Sequence, residues 1–279
     1  MIKVSADSTC DLSPELKEKF DIAITPLSIV VEDRIFKDGV DIHPVDVFRF
    51  VEEEGKSCQT GAVNVYEYQQ HFHELSKQYS AIIQVCLGSH ISSCYSNALL
   101  AARDFPHVYV VDSQNLSSGM GHIVYDAALL AKQGMEPSEI KNRLDALVHK
   151  VEASFVIDRL DYMARGGRCS AITAQSAKFF RLKPCIEVRD GAMIVGRKYR
   201  GSFEKVLCAY VQERLKDRDD IDYSRVFITH PACEREVVDL VRETIKEYAS
   251  FDEIIETRAG CTISNHCGPN TLGILFKRL

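Results

Sequence analysis

Residues 81–112 read AIIQVCLGSHISSCYSNALLAARDFPHVYVVD. An apolar, β-branched run, Ala81–Leu87, leads into a Gly-Ser turn, a helical pattern over Ser93–Asp104 and a second β-branched run, Val108–Asp112. Strand, helix and strand in succession predict a parallel pair, because a parallel neighbour needs a long crossover to carry the chain back. The same alternation extends toward the N-terminus. Ile2–Ala6 and Ala23–Val31 read as strands, and Ser13–Phe20, Pro44–Glu54 and Tyr66–Tyr79 as helices. Ser13-Pro14 has the form of an N-cap followed by proline at the first helical position.

Toward the C-terminus the pattern changes. Helical stretches over Leu116–Gln133 and Pro137–Val151 precede a strand at Ala153–Ile157. Asp190-Gly191 separates the apolar runs Cys185–Val188 and Met193–Val195, which predicts an antiparallel hairpin. Val226–Thr229, Glu253–Thr257 and Gly273–Phe276 read as strands, with helices at Ser202–Leu215 and Glu234–Ala249. The expected fold is α/β in two domains: a parallel-sheet domain over 1–150 and a mixed or antiparallel-sheet domain over 151–279. A chain of 279 residues suits two such cores.

Composition excludes several classes. The net charge is −6 without a basic stripe, which argues against nucleic-acid binding. None of the ten cysteines stands in a C-x-x-C pair, so a zinc ribbon is not expected; Cys86 and Cys185 lie in apolar runs and read as reduced core thiols. The opening MIKVSADST is not a signal peptide, and no apolar run approaches the roughly 20 residues of a membrane span. A cytoplasmic protein is expected.

The common catalytic motifs are missing: there is no phosphate loop, dinucleotide fingerprint or nucleophile elbow. His71 and His73 lie two apart, on different faces of a helix, and read as surface residues. What remains is a set of hydroxyl-rich turns at strand ends: Asp7-Ser8-Thr9, Gly88 to Ser93 with Ser89 and Ser92, and Asp112-Ser113 with Ser117-Ser118-Gly119 beyond. Ligands of open parallel sheets bind beyond the carboxyl ends of the strands, where such turns offer hydroxyls and N–H groups to an anion, although each turn alone reads equally well as a helix cap. Arg165-Gly166-Gly167-Arg168 reads as a flexible turn carrying two arginines, and Asn265–Asn270 as a polar loop that aims His266.

Together these segments resemble the DegV family, the fatty-acid-binding subunits of bacterial fatty acid kinases. Asp7-Ser8 with Asp11-Leu12 matches its opening D-S-x-x-D-L, and Thr60 the threonine of its T-S-Q-P-S segment. Ser92 and Tyr95 fall on S-G-L-S-G-T-Y-Q-S-A, while Gly61, Ala62, Val63, Ser93 and Cys94 depart from the patterns. Asp112-Ser113 with Ser117, Gly119 and Gly121, then Arg165–Arg168, Lys183-Pro184 with Asp190-Gly191, and His266 with Gly268-Pro269 and Leu272-Gly273 complete the ordered matches.

The resemblance implies one long-chain fatty acid, of palmitate or oleate type, held between two domains with no other cofactor. The first domain would supply the carboxylate-binding turns and the second the acyl pocket. Thr60 and Ser92 would hold the carboxylate, with His266 nearby and Ser89, Ser117 and Gly119 as further contacts. A separate kinase subunit would convert the carboxylate to an acyl phosphate for phospholipid synthesis, with an acyltransferase downstream, and Arg168, Arg200 and Arg165 would work with the kinase. Neutral hydroxyls suit this role, since they satisfy a buried carboxylate without occupying both oxygens as a bidentate arginine would. About 15 buried carbons at about 0.8 kcal/mol each place an upper bound near 12 kcal/mol on the tail's contribution. Apolar material for the tail includes Phe155, Ile157, Ile172, Phe179, Phe180, Leu182 and Ile186, each of which also reads as plain core. Two alternatives stand beside the carrier: a hydrolase using Ser92 with His266, and a binding module for another anionic small molecule.

Overall fold

The structure, a computed structural model, describes residues 1–169 and 182–279. Of the apolar residues named above, Ile172, Phe179 and Phe180 lie outside the described residues.

The first sheet is parallel, in the order β2-β1-β6-β7, from β1 (Ile2–Asp7), β2 (Ala23–Thr25), β6 (Ala81–Cys86) and β7 (Val108–Asp112). Its two central strands alternate strictly between its faces. Val4, Ala6, Ile83 and Val85 pack under α5 (Ser117–Lys132) and α6 (Pro137–Leu147), whereas Ile82 and Cys86 join Tyr68 and Phe72 of α3 (Val65–Ser76) and Ala98 of α4 (Cys94–Ala101). Every residue of β6 is buried, as expected of a parallel strand covered on both faces. The helix α1 (Pro14–Lys19) begins as read, with the Ser13 hydroxyl accepting from the Leu16 N–H at 3.3 Å.

The single strand expected over Ala23–Val31 is two. Pro26 lacks an N–H for the ladder, and the chain turns there from β2 into β3 (Ser28–Val31) of a different sheet. That small antiparallel sheet, β4-β3-β5, adds the unanticipated β4 (Arg34–Lys37) and β5 (Cys58–Gly61), next to α2 (Pro44–Glu52), and pairs Ile29 with Thr60.

A six-stranded mixed sheet occupies residues 151–278, in the order β10-β9-β8-β13-β11-β12. Its strands are β8 (Val151–Ile157), β9 (Lys183–Arg189), β10 (Ala192–Tyr199), β11 (Ile221–His230), β12 (Glu253–Arg258) and β13 (Thr271–Arg278). The hairpin read at Asp190-Gly191 joins β9 to β10, and only β11 and β12 pair in parallel. Helices α8 (Phe203–Leu215) and α9 (Arg235–Tyr248) cover one face; α5 covers the other, where Ala153, Phe227 and Leu275 meet the first sheet's core.

The helix α5 is therefore clamped between two sheets, and its first nine residues, Ser117 to Tyr125, are all buried. Gly119 is small because a Cβ there would stand 2.1 Å from Asn115 Oδ1 and 3.1 Å from the Ala153 Cβ. Ser117 donates to Asp11 Oδ2 at 2.5 Å, and Ser118 is bonded to Thr229 of the second sheet.

Two corrections concern the C-terminal segments. Asn265–Asn270 is not a loop throughout: Cys261–Cys267 is a helix, α10, closed by Gly268 at φ 79°. Arg165 and Gly166 belong to α7 (Leu160–Gly166), with Gly167 as its left-handed cap at φ 68°. The start of α10 is held by carboxylates from the first half of the chain. Asp38 accepts from the Cys261 N–H at 2.8 Å, the Thr262 N–H at 3.0 Å and the Thr262 hydroxyl at 2.7 Å; Asp11 accepts from the Gly260 N–H at 2.8 Å.

Asp38→Ala strands two buried N–H groups and a hydroxyl at once. Each hydrogen bond to a charged group is worth about 1.5–3 kcal/mol, partly recovered by relaxation and water, so a net loss of about 3 kcal/mol is expected in urea unfolding. A loss below about 0.5 kcal/mol would show that α10 docks without this clamp.

Candidate functional site

A cavity of about 530 Å³ opens where the three sheets meet, within the roughly 300–1,000 Å³ usual for small-molecule sites. Its wall is drawn from both halves of the chain. Leu27, Leu87 and Leu116 come from the first; Phe155, Met163 and Ile263 from the second. Ile157 and Ile186 lie in the core cluster behind Phe155.

The polar groups gather on three separate elements. Thr60 is carried by β5, Ser89 and Ser92 by the turn after β6, and His266 by α10. Thr60 Oγ1 and His266 Nε2 lie 2.9 Å apart. The other ring nitrogen, Nδ1, is buried and has no partner among the described residues. Gly166 explains how the ring fits, since a Cβ at that position would stand 2.1 Å from Nδ1. Burial, reinforced by the Arg168 cation, lowers the ring's pKa to about 4, so His266 is neutral at pH 7. A buried orphan N–H is rarer than an unused lone pair, which favours the proton on Nε2. Nε2–H then donates to Thr60, leaving the threonine's own proton for a ligand.

Ser92 Oγ accepts from the Cys94 N–H at 3.2 Å, and among the described residues its proton has only the Cys94 sulfur, also at 3.2 Å, as acceptor. Sulfur accepts weakly, so a carboxylate competes well for that proton. Ser89 is exposed at the rim, its N–H fixed on Asp112 at 3.0 Å. The turn itself is anchored by buried Asp7, which accepts from the Leu87 N–H at 2.8 Å and from Tyr68 at 2.5 Å, and whose pKa burial raises to about 6.

The structure therefore brings Thr60, Ser89, Ser92 and His266 to one cavity, with Arg168 also in its wall. Ser117 and Gly119 are not in its lining, although Ser117 lines a small void next to it; both pack α5 between the sheets. The first turn is committed elsewhere as well, with Ser8 bonded to Asp38 and buried Thr9 to the Met120 sulfur. Arg165 pairs with Asp161 at 3.3 Å over the Tyr162 ring, and exposed Arg200 lies off the cavity. His71 is not a free surface residue: it bonds Ser5 at 2.7 Å, while His73 is exposed. Thr262, absent from the sequence reading, also lines the cavity; it lies four residues before His266, one helical turn away, a spacing visible only once Cys261–Cys267 is known to be a helix.

Among the described residues no three His, Cys, Asp or Glu side chains are grouped as a metal ion would require. No helix of the described residues is long and apolar enough to cross a membrane. Ser92 and His266 share no hydrogen bond, and among the described residues no carboxylate orients the ring, so these residues do not assemble the base-and-orienter arrangement of a serine hydrolase.

Two measurements check this geometry. In ring-resolved NMR of the empty protein, His266 stays neutral from pH 8 down to about 5, and a carboxylate bound beside it moves its midpoint upward. A midpoint near the ordinary value of about 6.5 would place the ring in water instead. Gly166→Ala drives a methyl group into Nδ1, so it should displace the ring and weaken head-group binding several-fold; unchanged affinity would show that the Thr60–His266 contact is dispensable.

The comparisons with known proteins agree with one another. A family model described as "Uncharacterised protein, DegV family" matches residues 1–278. A "Fatty acid-binding protein" of Thermotoga maritima is 28% identical over 280 residues, covering 98% of this chain and 96% of its own. A DegV domain-containing protein of Caldanaerobacter subterraneus is also 28% identical over 280 residues, covering 99% and 98%. Among solved structures, a DegV family protein from Thermus thermophilus, described by its fatty acid binding, superposes with a TM-score of 0.87 at 26% identity, covering 100% of this chain and 99% of that one. A Thermotoga maritima protein whose structure is described as revealing a fatty acid binding function gives 0.86 at 26% identity, over 100% and 99%. With its parallel and mixed sheets in the arrangement of those structures and the family's pattern running from end to end, this chain belongs to the DegV family.

Proposed function

We propose that this protein is a carrier that binds one long-chain fatty acid and presents its carboxylate to a separate kinase for conversion to an acyl phosphate. The observation that carries the reading is the make-up of the cavity: the hydroxyls of Thr60 and Ser92 and a neutral histidine share one lining with Leu27, Leu116, Phe155 and Met163. The relatives described as fatty-acid-binding support it. Thr60 and Ser92 supply neutral hydrogen bonds to the carboxylate, and His266 orients the threonine. Leu27, Leu116, Phe155 and Met163 receive the tail. Beyond them a small void of about 20 Å³ shares Leu116, Phe155, Ile263 and Cys267 with the cavity and continues it toward β13.

In this reading the first half of the chain contributes the head-group turns and β5, and the second adds the histidine helix and much of the tail wall. Arg168 and Arg200 serve the kinase step rather than lipid affinity, and the product passes to an acyltransferase.

Denaturing extraction of the protein purified from bacteria should yield close to one fatty acid per chain. Preparations that repeatedly lack lipid, and that fail to take up palmitate or oleate, would overturn the carrier reading. Thr60→Ala or Ser92→Ala should each weaken fatty-acid binding about 10- to 100-fold, since a hydrogen bond to a charged group is worth about 1.5–3 kcal/mol, and some affinity should survive through the tail. Unchanged affinity in both variants, with activated-ester turnover that disappears on Ser92→Ala, would favour the hydrolase.

A further inference from the structure

The first hydroxyl-rich turn, Asp7 to Asp11, has no residue in the lining of the acyl cavity. Its side chains nevertheless hold all three elements that carry the cavity's polar groups. Buried Asp7 holds the turn of Ser89 and Ser92. Its Oδ2 accepts from the Leu87 N–H at 2.8 Å, and its Oδ1 from the Tyr68 hydroxyl at 2.5 Å and the Gln84 amide at 3.2 Å. The next residue, Gly88, accepts from the Ser92 N–H at 3.1 Å, so the point that Asp7 fixes is also the point from which Ser92 is hung.

Ser8 stands between the other two elements. Its hydroxyl accepts from the Leu27 N–H at 3.2 Å and donates to Asp38 Oδ2 at 3.2 Å. Leu27 leads directly into β3, which pairs with β5 and sets Ile29 against Thr60. Asp38 grips the start of α10, the helix of His266. One hydroxyl therefore ties the sheet of the threonine to the clamp of the histidine. The backbone is shaped for this reach. Ser8–Cys10 form a single 3-10 turn, and Asp11 stands at φ 48°, a left-handed conformation that Asp tolerates better than most residues. Gly121 of α5 lets the turn lie close, since a Cβ there would stand 2.8 Å from the Cys10 carbonyl oxygen.

We propose that Asp7 and Ser8 are positioning residues for the fatty-acid head group, Asp7 acting through Ser92 and Ser8 through the Thr60–His266 pair. The proposal rests on the carrier reading. Neither side chain touches the cargo. Each fixes main-chain N–H groups or a carboxylate that set where a cavity hydroxyl lies, and such hydroxyls must be held to within about 0.5 Å to bond a carboxylate well. The two routes run through different elements, so their effects are separable.

The test titrates the delipidated full chain with palmitate and with 1-hexadecanol, which has the same tail and no carboxylate. Ser8→Ala and Asp7→Asn should each weaken palmitate about 5- to 10-fold, the worth of one hydrogen bond, and hexadecanol less than about twofold. Retained hexadecanol binding also shows that each variant is folded. In a Thr60→Ala background Ser8→Ala should cost less than about twofold more, while Asp7→Asn keeps its full effect; in a Ser92→Ala background the order reverses. Ser8→Thr, which keeps the hydroxyl, should restore most of the loss. In ring-resolved NMR, Ser8→Ala should raise the His266 midpoint from about 4, and Asp7→Asn should leave it in place. Should Asp7→Asn not fold, the Ser8→Ala cycle decides alone. Losses that add in both backgrounds, or that fall equally on the two probes, would show a general loosening of the fold and overturn the proposal. So would unchanged palmitate affinity, and either result leaves the carrier reading intact. Failure of the wild type to bind palmitate would overturn the carrier reading, and the proposal with it.

Discussion

The grip of two buried carboxylates on the start of one short helix decides the shape of the site. Asp11 and Asp38 come from the first sixth of the chain, yet the N–H groups they hold belong to Gly260, Cys261 and Thr262. Burying carboxylates is costly, and the cost is visible at Asp11, where desolvation pushes the pKa up to about 7 despite bonds from Ser117 and Gly260. What offsets it is geometric. The helix so held carries His266, and its docking brings that ring to Thr60, 206 residues earlier in the chain. Without the clamp, the histidine, the threonine strand and the hydroxyl turn would be features of separate units.

A second constraint follows from the first. Two sheets can share a head-group site only if they lie close together, and α5 fills the space between them. Its serines and glycines meet that need: Gly119 for closeness to Ala153, Ser117 and Ser118 to satisfy polar groups of both sides. The same residue types at a strand end resemble an anion-binding turn. In this fold they are the packing surface of a helix with no solvent-facing side over its first two turns.

The electrostatics of the site follow its burial. His266 loses its charge because it is desolvated beside an arginine, so the ring adds a dipole rather than a second cation to the cavity that Arg168 also lines.

Much of the architecture is readable in the residues. The alternation of β-branched runs with helical patterns predicts the parallel sheet, Asp190-Gly191 the hairpin, and Ser13-Pro14 a helix start, because each depends on neighbours a few residues away. Thr60, Ser92 and His266 are singled out by the resemblance, and local pattern adds little for them. CQTG has no apolar run to mark it as a strand; it becomes one by pairing with β3. Asn265–Asn270 reads as a polar loop, yet its first three residues close a helix, Cys261–Cys267, whose start Asp11 and Asp38 hold. The sequence by itself determined the strands, helices and turns whose signals are local, together with the residue types available for an anion. Only the tertiary structure decided which hydroxyls line the cavity and which are buried in packing. That choice depends on contacts between residues 106 to 249 positions apart, and such contacts leave no periodicity in the chain.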